Sequence, residues 1–87
     1  MTPRPPFRPA LWNQIVRAIY QQGVAYSVIE VAQKKWEAGL QVSDIRCREE
    51  GRGKPYGLES GCICRGCQQR RCFAFFDQVR QMFGPGA

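Results

Sequence analysis

The feature that most constrains this chain is the run Gly61-Cys62-Ile63-Cys64-Arg65-Gly66-Cys67-Gln68-Gln69-Arg70-Arg71-Cys72, which places four soft ligands within eleven residues. Thiolate sulfurs suit a tetrahedral zinc ion, and a four-sulfur shell without histidine is the composition of structural rather than catalytic sites. The glycines at 61 and 66 allow tight backbone turns around an ion. Cys62, Cys64, Cys67 and Cys72 are therefore the expected ligands of one Zn2+. Cys72 also falls on an apolar helical face, where it would serve equally as a small core residue. In that case Cys47 becomes the fourth ligand, across fourteen intervening residues. Four cysteines can also hold an iron–sulfur cluster, but the spacing C-x-C-x2-C-x4-C matches neither ferredoxin pattern. A dithiol redox site at Cys64-Arg65-Gly66-Cys67 is a third use, against which stands the lack of a preceding strand-rich half.

The triplet Cys62-x-Cys64-x2-Cys67 resembles the spacing in one zinc cluster of polyomavirus small T antigens. The resemblance covers six residues, without a matching histidine or flanking pattern, and implies no function.

Five cysteines cannot all pair internally, and the sequence has neither the apolar run of a secretory signal nor one long enough for a membrane span. A reducing intracellular compartment, cytoplasmic or nuclear, is the expectation, and there metal binding is the default use of clustered thiols. With 87 residues the chain supports one small domain, whose marginal core a metal would supplement. Ten aromatic residues supply enough apolar surface for that core.

Residues 1–9 carry four prolines and two arginines and read as a flexible extended arm. Residues 10–84 read as a single mainly α domain of three to four helices, with a glycine-rich metal-binding loop before the last helix; residues 85–87 form a tail. Leu11, Trp12, Ile15, Val16 and Ile19 recur at helical spacing, with Gly23 as the stop. Ala25, Ile29, Ala32 and Trp36 make a second stripe that ends at Gly39, with Ser27 as a candidate cap. From Ser43 to Gly51 a short helix capped by Ser43 is preferred to a hairpin arm. The last helix carries Cys72, Phe75, Phe76, Val79 and Phe83 on one face and ends at Gly84-Pro85.

Thirteen basic and seven acidic residues give a formal charge of +6. Four thiolates and one zinc dication would lower this to +4. Seven of the thirteen basic residues (Arg46, Arg48, Arg52, Lys54, Arg65, Arg70 and Arg71) lie between 46 and 71, interrupted by Glu49, Glu50 and Glu59. Folded around a metal they would converge into a surface suited to phosphate contacts, with arginine also able to read guanine edges. A helix–turn–helix over residues 27–50, its second helix carrying Arg46 and Arg48, is a weaker form of the same idea. With no histidine in the chain, no base is identifiable to activate a serine or a thiol, and no nucleotide fingerprint is complete. The sequence thus points away from an enzyme and toward a zinc-binding regulator directed at nucleic acid, transcription or a nucleic-acid-processing complex. The alternative is a protein-interaction module that inhibits or adapts a host or cellular enzyme, with Val31 and Phe73 as exposed contacts.

Overall fold

A computed structural model describes residues 2–48 and 62–87 of the chain. Among the described residues three helices make up the body, α1 (Pro9–Gln21), α2 (Tyr26–Glu37) and α3 (Arg65–Phe83), with a 3-10 turn at Val42–Asp44. No strand occurs among the described residues. The expected glycine-rich loop, with Gly51, Gly53, Gly57 and Gly61, lies outside them, as do Arg52 and Lys54.

Each helix begins and ends for local reasons. Proline opens α1, where its missing N–H removes no helical bond. Gly23, with φ 96°, turns the chain out of α1, and Gly39, with φ 100°, does the same after α2. Both positions favour a residue without a Cβ. Ala25 is the residue that precedes α2, so Ser27 lies inside the helix and caps nothing. Gly84, with φ 72°, follows α3.

The apolar stripes meet in one core containing Ile15 and Ile19 of α1, Val28, Ile29, Ala32 and Trp36 of α2, and Cys72, Phe73, Phe76 and Val79 of α3. Trp36 and Phe76 pack with tilted rings 5.4 Å apart, and the Trp36 indole N–H donates to Asp77 Oδ1 at 2.8 Å. That bond satisfies the one polar group the buried tryptophan carries.

Three expectations are corrected here. The first concerns the arm of residues 1–9, which has the extended backbone its prolines impose but does not hang free. Phe7 is buried and stacks on Trp36 at 5.1 Å, and the Arg80 guanidinium lies 4.3 Å from the centre of the Phe7 ring. The Arg4 guanidinium donates to the carbonyls of Trp36 and Leu40, and its backbone N–H to that of Glu37. Helix C-termini leave carbonyls without partners, and Arg4 supplies donors to those of α2.

The second correction is Phe73, proposed as an exposed contact but fully buried. Because α3 packs against both α1 and α2, its apolar face spans a wider arc than one stripe and takes in Phe73. Phe83, expected in the stripe, is exposed in the last turn, and Val31 is exposed as expected.

The third is the segment after Ser43. The Asp44 carboxylate accepts from the Gln41 N–H at 2.7 Å and closes a 3-10 turn, after which the described backbone is not helical. Ile45 and Cys47 are buried while Asp44, Arg46 and Arg48 are exposed, the period-two alternation of extended chain. Two inward residues spaced by two cannot share one face of a helix. The second helix of a helix–turn–helix is therefore absent from residues 43–48.

Candidate metal centre

That extended segment carries Cys47 to the start of α3. Cys64 is the residue preceding the helix and Cys67 lies in its first turn, a spacing of three that puts both on one side. Cys62 arrives from the preceding chain. The four sulfurs of Cys47, Cys62, Cys64 and Cys67 all lie within 4.8 Å of one another, so they could hold a metal ion.

Cys72, the ligand first expected from sequence, is not among them. It sits in the aromatic core, fully buried. The reason is the early start of α3: Cys67 and Cys72 are on the same helix five residues apart, which separates them by about 140° of rotation and about 7.5 Å of rise. Two such side chains cannot converge on one ion. Cys47 takes the place instead.

Two of the sulfur–sulfur distances match those around a single tetrahedral ion. Sulfurs around a zinc at about 2.3 Å stand about 3.8 Å apart at the corners of a tetrahedron. Here Cys47 and Cys62 are 3.6 Å apart, and Cys47 and Cys64 are 3.7 Å apart. No disulfide joins any of the five cysteines.

Two of the four thiols are pushed in opposite directions by their surroundings. Burial opposes the Cys64 thiolate, but N–H groups of Cys67 and Arg48, each 3.4 Å from its sulfur, and the Cys62 and Cys47 thiols together bring it down to about 6. Burial first, then contact with the other three sulfurs, pushes Cys67 up to about 12. Cys67 by itself thus favours the thiol, and a cation among the sulfurs would oppose that by deprotonating its ligands. Cys72 is different in kind: burial alone drives it up to about 12, so it remains an inert thiol.

Gly66 sets how closely the two parts of the site approach. A Cβ at this position would collide with the Arg46 carbonyl oxygen and lie 3.0 Å from its carbonyl carbon. Backbone on both sides leaves neither atom free to swing away. Gly66→Ala should push the Arg46–Cys47 segment off α3 and weaken metal retention, with a stability loss of about 1–3 kcal/mol from overpacking. Competition with a zinc-binding dye measures this; unchanged retention and melting would show that the close approach is dispensable.

No family model, curated protein or solved structure matches the chain. Its function must therefore be argued from its own residues.

Of the basic residues singled out from sequence, Arg46, Arg48 and Arg65 are exposed around the sulfur cluster. Arg70 has another use. Its guanidinium donates to the Ile45 carbonyl at 2.7 Å and ties α3 to the extended segment. Arg71 is half-buried. Gly66, expected in a tight turn around an ion, lies instead in the first turn of α3 against the Arg46 carbonyl, and the alternation of residues 44–48 was the signal that sequence reasoning missed. The alternation was legible in Asp44-Ile45-Arg46-Cys47-Arg48 itself, which is polar and apolar by turns.

Proposed function

We propose that this chain is a small regulatory domain, held together by structural zinc, that contacts the phosphate backbone of nucleic acid through the arginines around its metal centre. The observation that carries the reading is the pairing of a four-sulfur cluster of tetrahedral dimensions with Arg46, Arg48 and Arg65 exposed beside it. Four sulfurs and no open position suit a structural ion, and zinc is the metal such a shell selects. A polynuclear iron–sulfur cluster would set inorganic sulfide and several irons between the ligands, and the cysteine sulfurs would then stand farther apart.

The fixed backbone matters for the arginines. Arg46 and Arg48 flank the ligand Cys47, and Arg65 directly follows the ligand Cys64, so metal binding holds all three main chains in place. Side chains presented from a fixed frame lose less entropy on meeting a phosphate than side chains on a loose loop.

Binding of labelled DNA and RNA oligonucleotides to the zinc-loaded protein at low salt tests the reading. We expect affinity to fall steeply with salt, and reversal of Arg48 and Arg65 to glutamate to weaken binding and flatten that dependence. Arg70 is unsuited as a probe because its substitution removes the bond to Ile45. Absence of binding to either nucleic acid at low salt would sink the reading.

A protein-partner function is the second reading, and one observation favours it. Between α1 and α3 lies a groove of about 300 Å³ lined by Leu11, Ile15, Phe75, Val79, Met82 and Phe83. Met82 and Phe83 are 68% and 58% exposed, more apolar surface than one helix end usually leaves to water. A partner held there would bind with little dependence on salt.

A further inference from the structure

Beside the metal centre, α2, the extended segment and the start of α3 enclose a cleft of about 240 Å³. Its walls include Lys35 from α2, Arg46 and Arg48 from the segment, and Arg65, Gly66 and Gln69 from α3. Four cations from three separate elements thus converge on one concavity. Lys35 lies outside the basic run of residues 46–71 and joins it only through the fold. Its ammonium is held in place by Gln69, a buried side chain that accepts from it at 2.9 Å.

Asp44 also lines the cleft, and its carboxylate already accepts the Gln41 N–H. A zinc tetrathiolate beside the cleft would carry two net negative charges. Among the described lining residues, four carry basic side chains and Asp44 alone an acidic one. The N–H groups of Arg65 and Gly66, at the start of a 19-residue helix, have no acceptor within that helix and add to the positive end of its dipole. Because Gly66 lacks a Cβ, this backbone lies against the Arg46 carbonyl at the floor of the site.

We propose that this cleft seats a phosphate group and that Lys35 is one of its ligands. The inference rests on the nucleic-acid reading for the source of that phosphate, a phosphodiester of a strand passing over the metal centre. A guanidinium fork and an ammonium from opposite walls grip a tetrahedral oxyanion better than either wall alone. A phosphate contact there fixes the strand's position and does not itself read its sequence.

The test uses the full zinc-loaded chain, with labelled oligothymidylate followed by anisotropy across a salt series and inorganic phosphate followed by amide chemical shifts. Lys35→Gln and Arg65→Gln are compared with the parent; the glutamine at 35 keeps a donor for Gln69. Each substitution should remove part, and the double variant all, of the roughly 0.7 that one phosphate on a single strand contributes to the slope of log affinity against log salt, and the double variant should bind at least about tenfold more weakly at low salt. Inorganic phosphate should shift the amides of Arg48, Arg65, Gly66 and Gln69. Zinc content and the amide spectrum check that each variant folds, and Lys35→Gln alone carries the test if the double variant does not. Equal binding of the strand by parent and variants would overturn the cleft as its site and leave the nucleic-acid reading standing. Shifts with inorganic phosphate but no binding of oligothymidylate would support a phosphate site and remove the strand as its source. No response to either probe would overturn the cleft and the strand together.

Discussion

Purified protein is expected to carry about one zinc ion per chain, to be colourless, and to lose its fixed tertiary structure when a strong chelator removes the ion. The expectation comes from how the two buried regions are joined. Cys47, Cys62 and Cys67 form one buried group with Cys64 against it, and the aromatic core forms another. Helix α3 belongs to both, giving Cys67 to the first and Cys72 and Phe73 to the second. Without the ion, the first turns of α3 must hold four sulfurs together with no cation between them, and the release of Cys47 frees the chain that covers that end with Ile45.

Magnitudes favour a global effect over local fraying. Structural zinc sites contribute apparent binding energies of about 10–16 kcal/mol, whereas a whole domain is stable by about 5–15 kcal/mol. Removing a contribution as large as the total should leave little cooperative structure. The near-ultraviolet circular dichroism of Trp12 and Trp36, both in contact with Phe76, reports whether the aromatic core survives. Metal analysis with a chelator titration gives the stoichiometry. A metal-free sample that still melts cooperatively at the holoprotein's temperature would defeat the claim that the site staples the fold, and a brown protein would replace zinc with iron.

The helices were legible because their information is local. A 3.6-residue apolar period and a glycine at each stop define α1, α2 and the end of α3, and the structure places Gly23, Gly39 and Gly84 at those positions with positive φ. What could not be read depends on contacts between distant residues. The proline run of residues 1–9 dictates an extended backbone, yet nothing in it states that Trp36 leaves one ring face for Phe7 or that α2 needs Arg4 at its last carbonyls. Phe73 was expected to be exposed because it lies beside the stripe that faces one neighbour, and α3 has two.

The candidate metal ligands were legible as a set and ambiguous in one member. Density of cysteines within residues 62–72 announces a site, but choosing between Cys47 and Cys72 requires knowing where α3 begins. A helix starting near Cys72 would have left Cys67 and Cys72 free to converge; a helix starting at Arg65 keeps them apart. The start itself follows from Cys64, whose sulfur accepts the Cys67 N–H as a capping oxygen would. A ligand that doubles as a helix cap is invisible to rules written for serine, threonine, aspartate and asparagine.

Those two geometries lead to opposite outcomes for two single substitutions. Cys47→Ala should abolish stoichiometric zinc binding, because three thiolates leave one corner of the tetrahedron open and untie the extended segment from α3. Cys72→Ala should keep its zinc, because its sulfur lies in the aromatic core, apart from the four-sulfur cluster. The second change removes one buried sulfur and should cost about 1–2 kcal/mol through the small cavity left beside Phe73 and Phe76, visible as a modest fall in melting temperature. The first should resemble the chelated parent. Alanine is the better replacement for this comparison, since a serine at 72 would add the burden of a hydroxyl in an apolar site. Zinc content and melting temperature, measured together on both variants, separate a ligand from a core residue: a ligand loses metal and stability together, a core residue loses stability alone. Retention of zinc by Cys47→Ala with its loss from Cys72→Ala would restore the contiguous set Cys62, Cys64, Cys67 and Cys72, and would require α3 to start a full turn or more later than Arg65.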